Sequence, residues 1–113
     1  MKIIAGSAFA AVVAAVALIV ALPAFAATPT FRGTVGPGFT ITMASKPTKA
    51  GPIRLVIADK SNVHNFHLIG PGVNIRSSVA AVGQKSYFIT LKKGIYKFVC
   101  DPHPFMKGSF TVK

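Results

Sequence analysis

The segment Cys100-Asp-Pro-His103-Pro-Phe-Met106 holds the only cysteine of the chain, a histidine and a methionine within seven residues. A thiolate, an imidazole and a thioether are three of the four donors of a copper site in which two histidines and a cysteine lie in a plane and a methionine sulfur sits weakly on the axis. The fourth donor must be a second histidine. Only His64 and His67 remain, both in Val63-His-Asn-Phe-His-Leu-Ile69. Softness favours copper over zinc, because zinc sites use Cys, His and carboxylates and rarely recruit methionine. Hydrolytic chemistry is poorly supplied, with Asp101 the only acid near these residues.

Strand periodicity decides which of these side chains face inward. In Ile95-Tyr-Lys-Phe-Val-Cys100, Tyr96, Phe98 and Cys100 share one face, while Lys97 marks the other as the wetter one. The thiol then ends a buried aromatic row. The same count puts His64, Phe66 and Leu68 on one face and Val63, Asn65 and His67 on the other. The apolar company selects His64 as the inward histidine and leaves His67 outside the donor set, unless a bulge reverses the parity. The donors are thus expected to be His64, Cys100, His103 and Met106 around one copper ion.

The elements that must position them read as all-β. Candidate strands are Thr30–Val35, Phe39–Ala44, Ile53–Ala58, Val63–Leu68, Val73–Val79, Ser86–Leu91, Ile95–Cys100 and Ser109–Val112. They are short, rich in β-branched and aromatic residues, and separated by Gly36-Pro-Gly38, Gly51-Pro52, Gly70-Pro-Gly72 and Lys92-Lys-Gly94. No segment after residue 26 has helical periodicity with caps. The spacing predicts one small β-sandwich or barrel.

Residues 1–26 read as a signal peptide: Lys2, an uncharged apolar stretch from Ile3, and Ala24-Phe-Ala26 as the cleavage motif. The domain then spans 27–113 with no membrane span, and lies in the periplasm or outside the cell. An uncleaved anchor is the alternative, since the apolar run is long enough to cross a bilayer. In an exported chain a lone cysteine cannot close an internal disulfide, which leaves metal ligation as its best use. The net charge of +11 comes from 13 Lys and Arg against Asp59 and Asp101. The basic residues are scattered singly except Lys92-Lys93, which argues against a nucleic-acid reader and leaves either a solvated surface or steering of an acidic partner.

Cys100-Asp-Pro-His-Pro-Phe-Met106, with His64-Asn65 earlier on a strand, resembles the cupredoxins, in particular the short-loop amicyanin and plastocyanin-like members. The resemblance implies a Greek-key β-sandwich with one type 1 copper on His64, Cys100, His103 and Met106. It implies single-electron transfer between redox partners and no substrate turnover. It also implies that Asn65 ties the two ligand-bearing loops together. A monomer is expected. The alternative function is a copper-handling protein that sequesters or delivers the ion. Pro102 and Pro104 lack amide N–H groups and stiffen the loop. With Phe105 and Pro71 they are expected to form an apolar collar at the edge of His103, for docking or with Phe105 as a lid.

Overall fold

A computed structural model describes Gly6, residues 13–17 and residues 27–113. The expected signal peptide therefore lies largely outside the described residues. Among those described there is no helix, and hence none long and apolar enough to cross a membrane.

Eight strands form: β1 (Thr30–Val35), β2 (Ile41–Met43), β3 (Gly51–Asp59), β4 (His67–Gly70), β5 (Val73–Arg76), β6 (Gly83–Leu91), β7 (Gly94–Val99) and β8 (Lys107–Val112). They make two four-stranded sheets, ordered β2-β1-β3-β6 and β5-β4-β7-β8. β1 and β3 pair in parallel and every other pair is antiparallel. The chain changes sheet between β3 and β4, β5 and β6, and β6 and β7. This is the expected Greek-key β-sandwich.

Several strand bounds shift, and two of these shifts bear on the ligand-bearing loops. The segment expected as Val63–Leu68 joins the ladder only at His67 and runs on to Gly70, and the one expected as Val73–Val79 ends at Arg76. The reason is local. Phe66 N–H donates to Ser77 Oγ at 2.8 Å, and Ser77 N–H donates to the Phe66 carbonyl at 2.9 Å. This reciprocal pair satisfies the backbone of both segments without a continuing ladder. Residues 64–66 are left as a loop that the strands grip from both ends.

The core lies between the sheets and is built on aromatic pairs. Phe66 stacks on Phe98 with ring centres 5.4 Å apart, and Tyr96 stacks on Phe110 at 5.1 Å. Tyr96, Phe98 and Cys100 are all buried while Ile95 and Lys97 are exposed, as the alternation requires. Gly108 and Gly70 give these rings their room. A Cβ on Gly108 would clash with the Phe98 ring, and one on Gly70 with the Tyr96 ring. Gly108→Ala therefore overpacks the row that ends at Cys100. It is expected to cost about 1–3 kcal/mol, read as a lower urea midpoint at unchanged slope.

Candidate metal centre

The row Tyr96, Phe98, Cys100 carries the thiol to the end of β7, where the strand gives way to a tight loop. Cys100 N–H donates to the Met106 carbonyl at 3.0 Å, His103 N–H to the Cys100 carbonyl at 3.2 Å, and Met106 N–H to the His103 carbonyl at 2.9 Å. Pro102 and Pro104 have no N–H to offer, and the Asp101 amide is used outside the loop, by Asn65 Oδ1. The loop is closed on itself and sets Cys100, His103 and Met106 on one scaffold. Met106 is buried against the core and His103 is half-buried at the surface.

His64 arrives from the loop before β4. Its Nδ1 lies 2.9 Å from His103 Nδ1, and both nitrogens lie 3.7 Å from Cys100 Sγ. One donor atom from each of these three residues falls within 4.8 Å of the others. Two imidazole nitrogens and a sulfur that converge so closely present three electron pairs to one point, as a single cation requires. The charge and softness of the set, with Met106 on the same loop, fit a type 1 copper site.

His67 does not join them. Its Nδ1 donates to Asp101 Oδ1 at 2.7 Å, and its Nε2 lies 2.7 Å from Asn74 Oδ1. Alternation separates the two histidines by orientation but not by burial, because His64, Asn65, Phe66, His67 and Leu68 are all buried. The outward side of this segment is covered by Asp101 and Arg76, so His67 is sealed as well.

Asn65 joins the two loops. Its Nδ2 donates to Asp101 Oδ2 at 2.7 Å and to the Ser77 carbonyl at 3.3 Å, and its Oδ1 accepts from Asp101 N–H at 2.8 Å. Burial pushes the Asp101 carboxyl up. The hydrogen bonds from Asn65 and His67, and the charges of His67 and Arg76, outweigh that and hold it below the usual carboxylate range. On the other side, Asp59 Oδ1 accepts from Ser61 N–H at 3.0 Å and fixes the turn that leads into His64.

Around the exposed edge of His103 the collar differs from the expected one. Pro71 is not part of it. Its carbonyl accepts from the Tyr96 hydroxyl and its ring packs on Gly94, at the start of β7. Cys100 follows the end of that six-residue strand, roughly 20 Å away at ~3.3 Å per residue. Phe39 takes the place instead. Its ring centre lies 5.4 Å from His64, 5.1 Å from His103 and 5.7 Å from Phe105. Phe39 is 64% exposed and Phe105 67% exposed, so Phe105 is a rim residue and not a lid. The signal for Phe39 is an aromatic next to the Gly36-Pro-Gly38 turn; in the sequence it reads as part of a strand, which begins only at Ile41.

Residues 34–113 match the family described as copper binding proteins of the plastocyanin/azurin family. The chain belongs to that family. Among solved structures this cupredoxin is similar to the copper protein rusticyanin, with 18% identity over 79% of this chain and 80% of that one, and a TM-score of 0.60. It is similar to a reduced Cu(I) form of an amicyanin variant at pH 4, with 19% identity, coverage of 80% and 87%, and a TM-score of 0.52. An oxidized amicyanin variant gives 16% identity, the same coverage and a TM-score of 0.53. At these identities the likeness is one of fold. No curated protein matches the sequence.

The clamped carboxylate makes a pH prediction. Asp101 is held below its unfolded value, so its contribution to stability is present above about pH 4 and is lost as pH falls through the lower folded value. In the metal-free protein, the stability gap between wild type and Asp101→Asn should therefore close between about pH 5 and pH 2. Urea midpoints measured across that range check it.

Proposed function

We propose that this protein is an exported carrier of single electrons that holds one copper ion on His64, Cys100, His103 and Met106. The convergence of two Nδ1 atoms and one thiol sulfur at the end of the core carries the reading. Bound copper supplies a one-electron couple between Cu(I) and Cu(II). The residues supply the rest. Cys100 and Met106 are buried and keep water from the sulfur side, and the closed loop limits rearrangement when the charge at the site changes.

His103 is the donor nearest solvent, and its edge is framed by Phe39, Phe105, Pro102 and Pro104. An apolar rim of this kind suits brief docking. Steering would come from the charge: Lys and Arg far outnumber the two carboxylates, so the surface field of the domain is basic and suits an acidic redox partner. The Ala24-Phe-Ala26 motif supports export of residues 27–113. Copper delivery is the competing use of the same donors. It calls for an accessible site, whereas His64, Cys100 and Met106 are each at most 3% exposed. An enzymatic role lacks a free general base beside the site, because Asp101 is already bonded by Asn65 and His67.

Adding Cu(II) to residues 27–113 should give one ion per chain and an intense thiolate-to-copper band in the visible. One electron should bleach it and reoxidation restore it, with the copper retained against a chelator, and Cys100→Ser should abolish the band. A colourless complex contradicts the reading. Surrender of the ion to the chelator on reduction would favour copper delivery.

A further inference from the structure

His67 is a buried histidine three residues from His64 that the metal centre does not use. Its ring is fixed at both nitrogens, by Asp101 Oδ1 and by Asn74 Oδ1, each at 2.7 Å. A ring held at both ends has one orientation. Its backbone is equally constrained, because His67 opens β4 and is paired with Arg76 of β5 and Val99 of β7. Asn65 and Asp101, by contrast, lie in the loops on either side of the centre, outside any strand. The bonds between them tie loop to loop. His67 is the buried side chain that hydrogen-bonds this joined pair to the sheet, with exposed Arg76 adding an ion pair at 3.8 Å, and Asn74, on β5, braces His67 from behind.

We propose that His67 is a positioning residue for the metal centre: by holding the Asp101 carboxylate against the sheet it fixes where the adjoining Cys100 presents its sulfur to His64 and His103. The proposal rests on the copper reading above and goes beyond it. It gives the second histidine of His64-Asn-Phe-His67 a role of its own. It also explains why that histidine, one strand residue from the loop, is not a competing donor: its Nδ1 is occupied by Asp101. Asp101 thus has three hydrogen bonds, with Asn65 Nδ2, Asn65 Oδ1 and His67 Nδ1, and only the last reaches a residue within the ladder; the ladder residue Arg76 adds a looser, exposed ion pair at 3.8 Å from Oδ2.

The test compares wild type with His67→Leu, His67→Gln, Asp101→Asn and the His67→Leu/Asp101→Asn double variant. In the metal-free proteins, exchange of the Asp101 amide, which bonds to Asn65 Oδ1, is measured relative to the Tyr96 amide in β7. His67→Leu should speed it about tenfold, the size expected for loss of a hydrogen bond to a charged group. His67→Gln, which keeps an N–H donor, should restore most of the protection. After Cu(II) addition, His67→Leu should still bind one ion but shift the energy and intensity of the thiolate-to-copper band. The double variant should match Asp101→Asn alone, because His67 acts through Asp101.

Wild-type exchange and an unchanged band in His67→Leu, with only a lower unfolding midpoint, would overturn the proposal. So would effects of the two single changes that simply add. If His67→Leu does not fold, Asn74→Ala, which loosens the ring without removing it, must shift the band in the direction Asp101→Asn does, and no shift there overturns the proposal too. Should wild type itself give no such band, the copper reading fails, while the exchange ranking in the metal-free proteins still decides what His67 does.

Discussion

The bonds between the Asn65 side-chain amide and Asp101 are the joint on which this metal centre depends. The donors come from two places far apart in sequence, the loop around His64 and the loop from Cys100 to Met106. Neither loop is in a ladder: the β4–β7 pairing brings their ends side by side but stops at His67 and Val99. Asn65 extends that alignment by bonding both the backbone N–H and the carboxylate of the residue next to the thiol. Three donor atoms that would otherwise be hydrated separately are thereby held within a few ångströms of one another. A preformed site of this kind meets its ordering cost during folding, before any ion binds.

The sandwich makes such a joint possible. β7 delivers Cys100 at the end of a buried aromatic row, and β4 starts just after His64, beside the end of β7. Glycines at 70 and 108 let the Tyr96 and Phe98 rings lie flat in the core, so the row is packed by shape as well as by apolar character. The parallel β1–β3 pair and the β1–β2 hairpin bring Phe39 over the opposite side of the two histidines. The result is a centre that is dry on its sulfur side and open only at the His103 edge.

Much of this is legible in the residues, and what is not has a physical cause. The alternation in Ile95–Cys100 gives the buried face correctly because β7 is a true ladder strand with solvent on one side. The same reasoning applied to Val63–Leu68 separates His67 from His64 but does not show what covers its outward side. Residues 64–66 are loop, and the outward side is sealed by Asp101 and Arg76, which lie 34 and 9 residues away in the chain. Long-range cover of this sort leaves no local pattern. Pro71 was misplaced because a Gly-Pro-Gly turn does not say which end of the sandwich it closes; the antiparallel pairing of β4 with β7 decides that. Phe39 was hidden because an apolar residue before a strand reads as its first member. The family resemblance carried the role of Asn65, which composition and periodicity do not suggest.

X-ray absorption at the copper edge, on the loaded domain in both oxidation states, tests the central claim most directly. Two nitrogen donors and one sulfur donor are expected close to the ion in Cu(II), and the same set in Cu(I), because the two loops are joined before the ion arrives. Loss of a nitrogen donor on reduction would show that His103 leaves and that the joint does not fix the site. Absence of the close sulfur in both states would contradict the centre itself.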